Sequence, residues 1–276
     1  MSYLLILYCV FVNFFTDCEI VRIESLKEIP KQQERTLYLL DIDDTLIDFP
    51  YMLGSCGWRK YIKALGRKSG QTHWHDQFSY HLAKNYPPVT VEALTLDWIN
   101  DVQNHGHIVV GFTRRERAVW YNTPMEGVDV MTVAQLNHVG ISFEKERIEG
   151  LFPQFQNEPH YYEGVFFSDC SLKGDFLRQL LSKMPLIPDQ IIFVDDMFKH
   201  VESVDKVLNE LQINHKCYWY TACKQKEMRF DPLIADTELY YYLIEQEIIS
   251  DEEASTLLLD RVDHYELLDK IYQTKN

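Results

Sequence analysis

The chain has 276 residues, of which 46% are hydrophobic and 25% are charged, and its formal net charge at pH 7 is −15. This composition is that of a globular protein with a substantial core, which excludes a disordered or fibrous chain. The acidic balance argues against a nucleic-acid backbone or an anionic membrane surface as the main partner, because both require clustered Lys and Arg.

The chain begins with an apolar run over residues 3–15. The run is too short to span a membrane as a helix, but it has the length of a signal-peptide core, and Thr16 and Cys18 are small enough to flank a cleavage site. We therefore predict a signal peptide over residues 1–18 and export to the periplasm or the exterior. No Lys or Arg precedes the run, so an apolar strand or helix packed on a cytoplasmic domain stays open as the alternative.

Further along the chain, apolar runs alternate with stretches of helical period, which predicts an α/β fold with a parallel sheet and helices on both faces. The strand candidates are almost continuously hydrophobic, as expected for strands covered on both sides. They are residues 37–42, 107–112, 164–168, 190–195 and 217–220. The helix candidates are residues 91–104, entered through Thr90, 172–184 and about 197–211. Ser250 and Glu253 form a capping box that predicts one more helix near the C-terminus.

Residues 51–88 separate the first strand candidate from the next helix by far more than an ordinary connection. We interpret this segment as a small helical cap, inserted into a core domain made of residues 19–50 and 89–276. A cap of this length leaves room for either a metabolite or a phosphorylated side chain.

Four separate segments place polar residues where strand candidates end or where the next helix begins. Ligands of open parallel sheets bind outside the carboxyl ends of the strands, so these residues are expected to meet at one edge. They are Asp41, Asp43, Asp44, Thr45, Thr113, Arg114, Arg115, Lys173, Asp195 and Asp196.

This arrangement resembles the haloacid dehalogenase-like (HAD) superfamily of phosphatases and phosphotransferases, whose four motifs have matches here in the same order. The first, Asp-x-Asp-x-Thr, matches DIDDT at 41–45, and the second, a Ser or Thr that ends an apolar strand, matches Thr113. The third, a Lys that opens a helix, matches Lys173 in SLKGD, and the fourth, an acidic pair after an apolar strand, matches IIFVDD at 191–196. The resemblance implies a Rossmann-like core over residues 37 to about 220.

A finer resemblance is to a bacterial HAD-like family of unknown function whose members often carry signal sequences. It is carried by the stretches DIDDTLIDFPYMLGSCGWRKYI, GVFFSDCSLKG and FVDDMFKHVESV. This resemblance implies no particular substrate.

The residue types of the first motif suggest a division of labour. The Asp41 carboxylate can attack phosphorus and form an aspartyl-phosphate, which divides one difficult displacement into two steps. Asp43 can protonate the leaving oxygen and then take a proton from the hydrolytic water. Because Asp43 must begin protonated to act as an acid, its neighbours are expected to raise its pKa.

The resemblance also implies a Mg²⁺ ion bound by Asp41, the Asp43 carbonyl and Asp195 or Asp196, since hard divalent cations prefer oxygen ligands. Lys173 would pair with Asp41 and a phosphate oxygen, and the Thr113 hydroxyl would donate to another phosphate oxygen. Arg114 or Arg115 is a candidate substrate contact, with surface pairing to Glu116 as the equal alternative.

We therefore expect a Mg²⁺-dependent phosphatase acting on a small phosphate monoester. The alternatives are a phosphotransferase of the same fold and a catalytically inactive, secreted HAD-like binding protein. A calcium loop is excluded because Leu46 and Met52 stand where such a loop needs Gly and Glu. Cys217 and Cys223 have two open interpretations, a disulfide in an oxidising compartment or free thiols.

Overall fold

A computed structural model describes residue 266 and residues 20–258, apart from 72–73, 118, 121–122, 125–126, 170 and 185–187. The signal peptide predicted over residues 1–18 lies outside the described residues.

A central sheet organises the described part of the chain. The strands are β1 (Val21–Ile23), β2 (Thr36–Leu40), β3 (Ile47–Asp48), β4 (Val89–Thr90), β5 (Ile108–Thr113), β6 (Val119–Trp120), β7 (Thr123–Pro124), β8 (Tyr161–Tyr162), β9 (Val165–Phe167), β10 (Gln190–Asp195) and β11 (His215–Tyr220). Among these residues, seven strands form one sheet in the order β1-β11-β10-β2-β5-β9-β8. Neighbouring strands in this sheet are parallel except β8 and β9, which are antiparallel.

Helices flank this sheet. They are α1 (Cys56–Ser69), α2 (Trp74–Asn85), α3 (Thr95–Asn104), α4 (Val128–His138), α5 (Lys145–Leu151), α6 (Lys173–Lys183), α7 (Phe198–Glu210), α8 (Lys224–Met228), α9 (Pro232–Tyr240) and α10 (Asp251–Leu257). Short 3₁₀ turns lie at Leu26–Glu28 and Pro153–Asn157, and a π-helical turn at Tyr241–Glu245 follows α9.

The predicted α/β class with a mostly parallel sheet is confirmed. Strands β2, β5 and β10 are buried along their whole length, which explains why they appear in the sequence as continuous apolar runs. The five strand candidates and the helices predicted at 172–184 and 197–211 lie within a few residues of their observed positions. The capping box of Ser250 and Glu253 is present at the start of α10.

The start of α3 was predicted wrongly. The helix begins at Thr95 and not near Thr90, because Thr90 pairs with Ile47 across β3 and β4. The backbone N–H of Val91 also donates to the Leu46 carbonyl at 3.1 Å, which keeps this part of the chain extended.

Residues 51–88 leave the core after β3 and return to it through β4, and these two short strands pair antiparallel. The segment contains α1 and α2. Its apolar side chains form a second cluster, apart from the core of the central sheet, and α9 contributes to it. The buried members are Met52, Leu53, Trp58, Ile62, Phe78, Leu82, Tyr86, Ala235 and Leu239.

Polar contacts also tie the start of this segment to the C-terminal helices. The backbone N–H of Leu53 donates to the Glu238 carboxyl at 2.6 Å, and that of Met52 donates to Asp251 at 2.8 Å. The sequence placed the C-terminal region with the core domain, and the structure adds that part of it packs on residues 51–88.

Two further expectations concern cysteines and membranes. Of the two open interpretations of Cys217 and Cys223, the disulfide is not formed in the structure. In the part of the chain that the structure describes, no helix combines the length and the apolar character needed to cross a bilayer.

Candidate functional site

The centre of the site is Lys173, whose side chain is fully buried at the start of α6. Its Nζ lies 2.5 Å from Oδ1 of Asp41, directly after β2, and 2.6 Å from Oδ2 of Asp195, at the end of β10. The other oxygen of Asp195 accepts a hydrogen bond from the backbone N–H of Met197 at 2.7 Å. Three segments that are distant in the sequence therefore meet at the carboxyl edge of the sheet.

The residue after Lys173 explains how the lysine reaches this position. A Cβ at Gly174 would lie 2.1 Å from the backbone oxygen of Ser203 in α7, which is too close for any side chain. The N–H of Gly174 instead donates to the Ser203 hydroxyl at 3.2 Å. Glycine thus allows the first turn of α6 to pack directly against α7, and this packing holds Lys173 between the two carboxylates.

Asp41, Asp195 and Asp196 form a buried cluster in which one oxygen of each lies within 4.8 Å of the others. Burial raises the pKa of Asp41 to about 8, although Lys173 opposes the effect. The pKa of Asp196 is raised well above its usual range by burial and by the charges of Asp44, Asp195 and Asp41. Among the described residues no donor contacts the Asp196 carboxylate.

This cluster tests whether the residues fit the Mg²⁺ ion that the HAD resemblance implies. Three buried carboxylates carry more negative charge than Lys173 neutralises, and the Asp195 charge raises the pKa of both Asp41 and Asp196. Carboxylate oxygens at this spacing are the ligands that a hard divalent cation prefers. The residues present therefore fit a magnesium ion.

Asp43 lies beside the same cavity, where it is paired with Arg115. The guanidinium donates to both carboxylate oxygens, from Nε at 2.9 Å and from Nη2 at 2.7 Å. Two hydrogen bonds from Nη1 hold the guanidinium in place, to the Thr132 hydroxyl at 2.8 Å and to the Gln135 side chain at 2.7 Å. The orientation of Arg115 is therefore fixed, and in this orientation its guanidinium binds both oxygens of Asp43.

The expectation that neighbours raise the pKa of Asp43 is wrong in this structure. Burial acts in that direction, but the Arg115 charge and hydrogen bonds outweigh burial and lower the pKa of Asp43 below its usual value. The sequence offered Arg115 as a substrate contact or a surface partner of Glu116, and the structure gives it this third role. Nothing in the local sequence signals a pairing across 72 residues.

Thr113 and Arg114 lie after β5, next to this pair. The Thr113 side chain is buried, and its hydroxyl accepts the backbone N–H of Arg115 at 3.1 Å, which shapes the turn after the strand. Arg114 is half-buried and lines the cavity described below. Contact of either residue with a phosphate stays a prediction.

Each carboxylate of the run from 41 to 48 pairs with a different cationic side chain. Asp44, which has a left-handed backbone with φ of 60°, pairs with Arg59 of α1. Asp48 pairs with Lys226 of α8 at 2.8 Å. The four pairs are Asp41 with Lys173, Asp43 with Arg115, Asp44 with Arg59, and Asp48 with Lys226.

A cavity of about 330 Å³ opens onto these residues. Asp41, Asp43, Asp196 and Lys173 line it on the side of the sheet, and α1 and α2 supply much of the remaining wall. The site is therefore enclosed between the strand ends and the inserted helices.

His200 also lines this cavity and was not identified from the sequence. Burial and the nearby Lys173 charge lower the pKa of His200 to about 3, so its imidazole is neutral. Its Nδ1 accepts the backbone N–H of Lys173 at 3.5 Å, which leaves the proton on Nε2. The available signal was its position on the buried face of α7, four residues after Asp196.

Comparison with known families gives one match that covers most of the chain. A family model described as "Protein of unknown function (DUF2608)" matches residues 21–255, which include every site residue named above.

Three curated relatives are similar along most of their length. A Chlamydia muridarum protein named "Putative outer membrane protein" is 26% identical over 254 residues, 88% of this chain and 92% of the relative. A Chlamydia trachomatis protein of the same name is 25% identical over 232 residues, 82% of this chain and 83% of the relative. "Uncharacterized protein RP296" of Rickettsia prowazekii is 22% identical over 275 residues, 92% of this chain and 97% of the relative.

Proposed function

Because the chain belongs to the family described as "Protein of unknown function (DUF2608)", which assigns no activity, we propose a function from the site geometry. The protein is a Mg²⁺-dependent phosphatase of the HAD type that hydrolyses a small phosphate monoester through an aspartyl-phosphate. The observation that carries the proposal is the buried Lys173 between Asp41 and Asp195, beside the Asp196 carboxylate and at the wall of a cavity.

In the first step an oxygen of Asp41 attacks phosphorus, the bond from phosphorus to the ester oxygen breaks, and the alcohol leaves with a proton. Lys173 orients Asp41 for this attack, since it holds Oδ1 at 2.5 Å while Oδ2 remains available. When bound by Asp41, Asp195, Asp196 and the Asp43 carbonyl, Mg²⁺ would supply neutralisation of the phosphoryl charge.

In the second step water attacks the phosphorus of the aspartyl-phosphate and regenerates Asp41, and Asp43 takes the proton of this water. The lowered pKa of Asp43 suits this role, because a base must begin ionised.

Asp43 also acts in the first step, where the leaving alcohol needs a proton from its carboxyl group. A bound phosphate dianion competes for the Arg115 guanidinium and raises the pKa of Asp43, which makes that protonation less costly.

The inserted helices serve this chemistry as a cap over a Rossmann-like HAD core. Two observations support the role: α1 and α2 line the cavity, and Arg59 of α1 pairs with Asp44 of the first motif. A cap that excludes water strengthens the electrostatic interactions inside the site.

We also propose that the protein is exported. The N-terminal apolar run supports export, and the names of the two chlamydial relatives are compatible with it. N-terminal sequencing of the mature protein tests this directly, since cleavage after residue 18 gives a chain that begins at Glu19.

The phosphatase proposal is tested by phosphate release from a panel of phosphate monoesters, with and without Mg²⁺. Asp41→Asn preserves shape and removes the nucleophile, so we expect release to fall at least about a thousandfold. Asp189→Asn is the matched control, because Asp189 is exposed just before β10, at the opposite end of that strand from Asp195. Wild-type protein that releases no more phosphate than Asp41→Asn on any substrate would refute the proposal.

A further inference from the structure

We propose that the cavity takes a phosphate monoester with a second anionic group, which Lys63 binds from the wall formed by the inserted helices. This inference deepens the proposed phosphatase function and rests on it. The ligand class is a small ester with a phosphate at one end, an apolar body, and a carboxylate or second phosphate at the other end.

The first observation is a local excess of positive charge in a protein whose net charge is −15. Lys60, Lys63 and Lys224 line the cavity. Lys60 and Lys224 pair with the same carboxylate, that of Glu227, and Lys224 lies 3.3 Å from it. Lys63 is exposed and has no ion pair among the described residues. One glutamate therefore pairs with two of these lysines, and the Lys63 charge is left without an ion pair among the described residues.

The other charged groups of the cavity wall do not cancel this excess. Arg59 is paired with Asp44, and Arg114 and Glu116 offset each other in charge. The remaining carboxylates that line the cavity belong to the cluster near Lys173. The side of the cavity formed by the strand ends is thus rich in carboxylates and suited to a metal ion, and the wall formed by the inserted helices contributes Lys60 and Lys63.

The second observation is that Lys63 and the carboxylate cluster belong to different walls of the cavity. Lys63 lies in α1 of the inserted helices, whereas Asp41, Asp196 and Lys173 line the cavity on the side of the sheet. Burial, together with the Lys63 and Arg59 charges, lowers the pKa of His75 in α2, in agreement with this placement. A phosphate held beside Lys173 therefore leaves Lys63 available to a different part of the ligand.

The third observation is that part of the cavity wall is apolar. Phe49, Trp58, Leu82 and Ala83 line the cavity, and Trp58 and Leu82 belong to the buried cluster of the inserted helices. The volume of about 330 Å³ lies at the lower end of the range of about 300–1,000 Å³ for small-molecule pockets, well beyond a phosphate group alone. This wall fits an alkyl or aromatic body that connects two anions.

The experiment compares two series of non-hydrolysable ligands on the full chain in the presence of Mg²⁺. One series is alkylphosphonates of increasing chain length, and the other is ω-carboxyalkylphosphonates of the same lengths. Dissociation constants are measured calorimetrically for wild type, for Lys63→Met and for Lys68→Met. Lys68 is the control, since it is an exposed lysine of the same helix that does not line the cavity.

We expect the carboxylated ligand of matching length to bind about two- to fivefold more tightly than its uncharged counterpart in wild type and in Lys68→Met. Lys63→Met should abolish this preference and leave the affinity for the uncharged series unchanged. No preference at any length would overturn the inference. Equal weakening of both series by Lys63→Met would also overturn it, because Lys63 would then only attract anions in general.

Phosphate release from monoesters, measured alongside, separates this inference from the proposed function. Turnover without a preference for carboxylated ligands refutes the second anion site and leaves the phosphatase. A Lys63-dependent preference without turnover of any monoester refutes the phosphatase and leaves a site for two anions. Absence of both binding and turnover refutes both.

Discussion

Glu238 is a buried carboxyl whose charge state we expect to control the stability of the inserted helices. Burial and the neighbouring Asp251 carboxyl raise the pKa of Glu238 to about 9, against the opposing effect of the Leu53 N–H. Below the ordinary pKa of about 4.5 the group is protonated in both the folded and the unfolded state, so it costs nothing. As the pH rises from there towards about 9, the folded protein must hold a proton that the unfolded chain releases, and stability is lost.

The substitution Glu238→Gln removes this cost and keeps the local hydrogen bonds. The Gln carbonyl can accept the Leu53 N–H, now at 2.6 Å from Glu238, and its amide can donate to Asp251. At about pH 7 the proton cost is at most about 3.5 kcal/mol, from about 2.5 pH units at about 1.4 kcal/mol each. We expect the variant to be about 2–3 kcal/mol more stable than wild type at that pH, and less than about 1 kcal/mol more stable near pH 5.

Urea denaturation of both proteins at three or more pH values between about 5 and 7 measures the difference in their free energies of unfolding. Glu247→Gln is the control, because Glu247 is exposed and beyond the π-helical turn that follows α9. A gain that does not grow with pH would refute the reasoning, and so would a variant less stable than wild type at neutral pH.

Two further predictions concern the site itself. Gly174→Ala should destabilise the protein by about 1–3 kcal/mol and reduce phosphate release, because its Cβ meets the Ser203 backbone and pushes α6 from α7. Gly150→Ala, in open space within α5, should be neutral or stabilising by up to about 1 kcal/mol, and equal effects in denaturation would contradict this account. Arg115→Gln removes the charge that keeps the pKa of Asp43 low, so the acid limb of the pH–rate profile should move to higher pH by about one unit or more. Arg117→Gln, whose partner is Asp129, should leave that limb in place, and an unmoved limb in Arg115→Gln would exclude Asp43 as the titrating base.

The parts of the fold that follow from short stretches of sequence were predicted well. Strands β2, β5 and β10 are buried throughout, so each appears as a continuous apolar run that ends in polar residues. Lys173 was identifiable because it begins the helix that follows the apolar strand β9. The carboxyl ends of parallel strands meet at one edge, and this rule alone brings Asp41 and Asp195 near each other.

The partners of the carboxylates were not predictable, because they depend on contacts between distant segments. Arg59 and Lys226 reach Asp44 and Asp48 from α1 and α8, and neither helix shows this in its own pattern. The pKa of Asp43 was misjudged for the same reason. Its sign depends on a guanidinium whose orientation is fixed by α4 side chains, and that orientation appears only once the chain has folded.

The start of α3 shows a different limit of sequence reasoning. Thr90 has the composition of a helix cap, but it is used in the two-residue ladder of β3 and β4. Capping preferences describe an isolated helix end, and here a strand contact from elsewhere in the chain competes with them.

The contribution of α9 to the interior of the inserted helices affects how this protein can be recombined. A chimera that exchanges residues 51–88 with those of a relative would place foreign side chains against Ala235 and Leu239. Residues 51–88 and α9 must therefore be exchanged together, although almost 150 positions separate them along the chain. Across the family, substitutions in these two segments should be correlated, because the segments pack together as one structural unit.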